Sequence, residues 1–184
     1  MIFEKFLTPD DMRDSFRDIT PEELGARGIR WVFSDIDNTL ATYDDPLPPG
    51  AVSDWLRRME EAGISVIFVS NNDRARVEGF NPARPDRGKP TYWKSAKPFT
   101  KSLRRAMREA GARREESMLL GDQLLTDAAA GKRAGLYTVI VPPIKDRTSL
   151  FWRVKRRIER PYIKKFLRLN PGPDRKSRGW EVWK

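Results

Sequence analysis

Short apolar runs alternating with helical stretches constrain this chain more than any other feature. Residues 29–34 (IRWVFS), 64–69 (ISVIFV), 117–120 and 136–141 (LYTVIV) read as buried strands, with 91–93 as a weaker one. Between them, 52–62, 73–78, 98–110 and 124–134 carry helical patterning, and Gly63, Gly111 and Gly135 close three of these helices. Thr8-Pro9-Asp10 and Thr20-Pro21-Glu22 signal two earlier helix starts. Apolar strands that alternate with helices belong to a parallel sheet covered on both faces. The expected fold is α/β: a Rossmann-like parallel sheet of about five strands, flanked by helices. Ligands of such sheets bind beyond the carboxyl ends of the strands. The polar residues there are Asp35, Ser70, Asp122 and, some way on, Lys97.

The side-chain inventory narrows the chemistry. The 184 residues include no cysteine and no histidine. That excludes disulfides, thiolate nucleophiles, Ser-His-Asp triads and most transition-metal sites. Catalysis here must use carboxylates, Lys, Arg, hydroxyls and amides, and a hard cation with oxygen ligands suits that set. No run approaches the roughly 20 apolar residues of a membrane span, and residues 1–10 lack the apolar stretch of a signal peptide. The expected location is cytoplasmic, or peripheral at the inner membrane surface.

Carboxylates gather at two strand ends. Asp35-Ile36-Asp37-Asn38-Thr39 follows the first strand, and Gly121-Asp122 with Asp127 follows the fourth. A carboxylate can attack phosphorus and split one hard displacement into two easier ones. A second carboxyl can protonate the leaving oxygen and later deprotonate water. A magnesium ion held by carboxylates would neutralise the charge between an anionic nucleophile and a phosphate. Taken singly, each residue has a plainer reading. Asp35 and Asp122 serve as turn formers or helix caps, Ser70 as an N-cap, and Lys97 and Asp127 as solvated surface charges. Turn chemistry also accounts for Asn38 and Asn72. The ordered set is what points to catalysis.

That set resembles the haloacid dehalogenase (HAD) superfamily of phosphatases. The motif DxDxT matches Asp35 to Thr39, the strand ending in a hydroxyl matches Ile67-Phe68-Val69-Ser70, the Lys before Pro matches Lys97-Pro98, and GDxxxxD matches Gly121 to Asp127. DIDNTL, VSNN, the KP segment and GDQLLTD, with Leu7-Thr8-Pro9, are similar to the subclass IIIA, YqeG-like branch, over roughly residues 5–165. The resemblance implies a phosphoric monoester hydrolase with Asp35 as nucleophile and metal ligand. Asp37 would be the general acid/base and bind the metal through its carbonyl. Ser70 and Lys97 would hold the phosphoryl oxygens, with Asn71 beside Lys97 at the substrate. Asp122 would ligate Mg2+, and Asp127 would support the metal or Lys97. The segments 40–50 and 71–96 are too short for an inserted domain, so the site is expected to be capless and open to a large substrate. The branch is related to phosphatidylglycerophosphate phosphatases, which implies a phospholipid substrate.

Charge divides the chain. Residues 145–184 hold 14 Lys and Arg against 4 Asp and Glu, and residues 1–144 hold 22 of each, so the last segment carries the whole excess of +10. We expect a HAD-like domain over 1–144 and a basic amphipathic helix and tail over 145–184. In 150–169, Phe151, Val154, Ile158, Tyr162, Phe166 and Leu169 recur at helical spacing, with Arg and Lys on the other faces and Pro161 set to kink or divide the helix. This stripe can dock on the domain's own core, lie on an anionic bilayer or meet nucleic acid. Two further readings stay open: a phosphatase for a soluble phosphate or a nucleic-acid end, and an RNA- or ribosome-binding protein on a HAD fold.

Overall fold

The strands are buried almost throughout, and their side chains alternate between two faces, which decides the layering. The computed structural model describes residues 2–80, 90–145, 150–170 and 180. Five strands, β1 (Asp11–Met12), β2 (Trp31–Ser34), β3 (Ser65–Phe68), β4 (Ser117–Gly121) and β5 (Tyr137–Ile140), form one sheet in the order β1-β5-β4-β2-β3, every pair parallel. The helices are α1 (Ile2–Leu7), α2 (Pro21–Ala26), α3 (Gly50–Glu61), α4 (Arg74–Phe80), α5 (Lys101–Ala110), α6 (Ala129–Ala134) and α7 (Leu150–Leu169). Val32, Val66, Phe68, Met118 and Leu120 face one side, where Trp55, Leu56 and Met59 of α3 and Val77 and Phe80 of α4 cover them. Phe33, Ile67 and Leu119 face the other side, under Leu103 and Ala106 of α5 and Ala130 and Ala134 of α6. A third cluster joins Met12 and Ile140 at the β1–β5 edge to Leu124, Ala128, Ile163 and Phe166, and to Trp180 from the far tail.

Strand order also locates the crevice. The chain passes from β2 outward to β3, then crosses back to β4 on the other side of β2. The loops after β2 and β4 therefore diverge side by side, the arrangement that opens a ligand crevice in wound sheets. Register makes this tight: Ser34 pairs with Leu120, and the Asp35 amide donates to the Leu120 carbonyl at 2.9 Å. Asp35 thus lies next to Gly121 and Asp122.

Several elements differ from the sequence expectation. Thr8-Pro9-Asp10 starts no helix; it follows α1 and leads into β1, which supplies the fifth strand by pairing with β5. Residues 91–93 contribute only an isolated bridge, Val69 to Tyr92. The helix expected over 124–134 opens with a π turn, Leu124–Ala128, before α6. In α7, the buried face is Glu159, Ile163 and Phe166, whereas Val154, Ile158 and Leu169 of the expected stripe are exposed. The reason is that Leu124, Ala128 and Met12 offer a surface one position around the helix from that stripe. Most of the Pro/Gly loop expected over 81–90, and nearly all of the tail segment expected over 170–179, lie outside the described residues. No helix among the described residues is long and apolar enough to cross a membrane.

Trp55 ties the first helical face to the N-terminal segment. It is fully buried, donates from Nε1 to the Ile19 carbonyl at 2.9 Å, and meets Phe16 edge-on at 5.6 Å between ring centroids. Trp55→Phe leaves a buried carbonyl unpaired and is expected to lower unfolding stability by about 1–3 kcal/mol, read from denaturant midpoints.

Candidate active site

Four charged side chains converge at the carboxyl ends of β2 and β4. Lys97 Nζ lies 3.2 Å from Asp35 Oδ1 and 2.6 Å from Asp127 Oδ1, with all three residues buried. Asp122, also buried, faces the same point: one carboxylate oxygen from each of Asp35, Asp122 and Asp127 falls within 4.8 Å of the others. Burial pushes the Asp35 carboxyl up to about 6 against the pull of Lys97. Burial, with Asp127 and Asp35 beside it, holds Asp122 well above the usual carboxylate range. Burial works against the Lys97 ammonium too, but Asp127 and Asp35 outweigh it and keep its pKa above the ordinary value. Three carboxylates thus gather around one point with a single ammonium, which lies against two of them. An oxygen-only donor set with surplus negative charge fits a hard divalent cation.

Local geometry explains how each group is held. Gly121 is a close approach: a Cβ there would stand 2.3 Å from Asp127 Cγ, so only glycine lets that carboxylate fold back over the strand end. Asp127 Oδ2 then accepts from the Gln123 amide at 3.2 Å, and the Gln123 side chain donates to Asp122 at 3.3 Å. Lys97, next to a cis peptide with Pro98, is held by its backbone. Asn71 accepts from the Lys97 amide at 2.7 Å and donates to the Lys97 carbonyl at 3.0 Å. Ser70 is buried at the end of the β3 segment, and its hydroxyl accepts from the Asn72 amide at 3.2 Å. The Thr39 hydroxyl is buried and has no hydrogen-bond partner among the described residues. Asn38 (φ 64°), Lys94 (φ 45°) and Ala96 (φ 54°) occupy the left-handed region in the loops beside Asp37 and Lys97. Such conformations persist only where the surroundings impose them.

Asp37 is oriented differently from its neighbours. Its carboxylate accepts from Arg76 Nε at 2.9 Å and from Asn72 Nδ2 at 3.0 Å. Arg76, from α4, also donates to the carbonyls of Thr42, at 2.9 Å, and Asp45. One guanidinium therefore fixes both Asp37 and the turn after it.

Comparison with known proteins shows the family. A family profile described as HAD-hydrolase-like matches residues 95–147, which include Lys97, Asp122 and Asp127. The probable phosphatase YqeG of Bacillus subtilis (strain 168) is 36% identical over 159 residues, covering 86% of this chain and 91% of that protein. The chain belongs to the YqeG-like HAD phosphatases. CbbY of Rhodobacter sphaeroides, solved in complex with phosphate, shares the fold at a TM-score of 0.50 and 16% identity, over 67% of this chain and 90% of that one.

Within this phosphatase, the structure gathers Asp35, Lys97, Asp122 and Asp127 at one point and sets Ser70 and Asn71 beside them. It turns the Asp37 carboxylate toward Arg76. Sequence reading did not single out Arg76, because the spacing of 39 residues from Asp37 leaves no local signal. Arg76→Ala frees the Asp37 carboxylate and the turn over 42–45. The family resemblance makes Asp37 the general acid/base, and on that basis kcat on an aryl phosphate is expected to fall by about 100-fold, with the folded-state circular dichroism retained.

Proposed function

We propose that this phosphatase is magnesium-dependent, works through an aspartyl-phosphate on Asp35, and acts on a large or lipid-borne phosphomonoester such as phosphatidylglycerophosphate. The observation that carries the reading is the group of three buried carboxylates at the carboxyl end of the sheet, two of them against one buried ammonium. An Asp35 oxygen attacks phosphorus while the bond from phosphorus to the alcohol oxygen breaks, and Asp37 gives that oxygen a proton. Asp37 then takes a proton from water as its oxygen attacks the phospho-Asp35, releasing inorganic phosphate and restoring the carboxylate. Lys97 and Ser70 hold the phosphoryl oxygens, and Asn71 secures Lys97 through its backbone. Asp35, Asp122 and Asp127, with the Asp37 carbonyl, would hold the magnesium ion, which supplies charge neutralisation for the displacement when bound.

Two surfaces favour a large, apolar substrate. Tyr43, Leu47, Trp93, Phe99 and Ile144 are exposed, and all lie in loops on the catalytic side of the sheet. The outward face of α7 joins exposed Val154 and Ile158 to exposed Arg153, Arg157, Arg160 and Lys164. A basic helix with an apolar edge suits an anionic bilayer surface. The apolar edge favours lipid over nucleic acid, which offers charge alone along its backbone.

The deciding assay measures phosphate release from phosphatidylglycerophosphate in mixed micelles, with magnesium and with chelator, for wild type and Asp35→Asn. We expect magnesium-dependent release that the substitution reduces by at least about 10,000-fold, as for loss of a covalent nucleophile. Release from an aryl phosphate or a nucleic-acid end but not from the lipid would keep the chemistry and reject the lipid. Release in chelator equal to that in magnesium would reject the metal. A pH series adds a second check. The raised Asp35 and Asp122 pKa values mean that the metal-free site keeps protons that a cation must displace. The magnesium concentration for half-maximal activity should therefore rise as pH falls through about 6.

A further inference from the structure

Glu159 is a buried carboxylate that none of the motif residues accounts for. It sits on α7, in the segment of greatest positive charge, and is the one acidic residue between Leu150 and Leu169. Its side chain is 1% exposed, and its Oε1 accepts from the Leu125 amide at 2.8 Å. Leu125 is the second residue of the π turn, Leu124–Ala128, that carries Asp127. One helical turn earlier on α7, Lys155 donates to the Gln123 side chain, and Gln123 in turn donates to Asp122.

The first amides of a helix have no partner within it. Here two carboxylates take them from opposite sides. Asp127 folds back to the Gln123 amide from within the turn, and Glu159 reaches the Leu125 amide from α7. A negative charge at a helix start is favourable. Ile163 and Phe166, on the same face of α7, pack against Leu124 and Ala128 of the turn. The polar contact therefore comes with apolar contacts that fix the height of α7 over it.

We propose that Glu159 is a positioning residue for the acidic turn, so that α7 sets the spacing of Asp122 and Asp127 and with it the affinity of the site for a divalent cation. Glu159 touches no reacting atom; it acts through the Leu125 amide. The inference rests on the proposed metal site, and the metal itself provides the readout. The probe is Mn2+, titrated into the full-length, metal-free protein and followed by its electron paramagnetic resonance signal, with melting temperatures recorded without metal.

Wild type should bind Mn2+, and Asp122→Asn should lose that binding. Glu159→Ala should weaken it by about 10- to 100-fold, the usual effect of removing a group that orients a ligand. Burial pushes the Glu159 carboxyl up to about 7, so the titration is run above that pH; there Glu159→Gln keeps the shape and one acceptor oxygen, and should rescue most of the loss, leaving about a threefold deficit because a neutral acceptor is roughly half as strong. Wild-type affinity in both Glu159 variants would overturn the positioning role while leaving the metal site standing. No Mn2+ binding by wild type would overturn both. If Glu159→Ala does not fold, Glu159→Gln decides: a measurable loss of affinity at an unchanged melting temperature supports the role, and no loss overturns it.

Discussion

The ammonium of Lys97 is what allows this sheet to end in a cluster of acids. Asp35, Asp122 and Asp127 are buried within a few ångströms of one another, and without a cation such a group could persist only by taking up protons. Lys97 lies against two of the three. The rest of the local architecture serves to bring it there. Asn71 grips the Lys97 backbone on both sides, Gly121 clears room for Asp127, and the β2–β4 register sets Asp35 beside Gly121. A single charge balances the cluster incompletely, and the remaining demand for positive charge is the property that a phosphoryl-transfer site exploits.

Much of this was legible in the chain. Apolar strands closed by Asp35, Ser70 and Asp122 marked both the sheet and its functional end, because a strand's last residue and the next loop are adjacent in sequence and in space. What escaped depended on long-range pairing. β1 is two residues long and becomes a strand only by meeting β5, some 128 residues on. Arg76 reaches Asp37 across a loop, and nothing near it distinguishes it from Arg74, which makes an ordinary helix-surface pair with Glu78. Glu159 was hidden for a different reason. The amphipathic stripe of α7 follows apolar residues at helical spacing, whereas the docked face is chosen by what Leu124, Ala128 and Met12 present. The lone acid in a basic helix was the available signal.

α7 therefore has two sides with unlike duties. Its inner side shares a core with the sheet edge and with Trp180, and it places polar groups against the acidic turn. Its outer side carries exposed cations with an apolar border. The charge asymmetry along the sequence becomes an asymmetry across one helix, and the positive charge sits behind the turn that carries Asp127.

The β2–β4 register has a consequence for descent. The distance between Asp35 and Asp122 is set by main-chain hydrogen bonds, which do not depend on which side chains the strands carry. Loops around the mouth can then exchange residues, lengthen or change polarity over generations without moving these two carboxylates. A lineage built this way inherits its chemistry as a fixed instrument and is free to change its clientele.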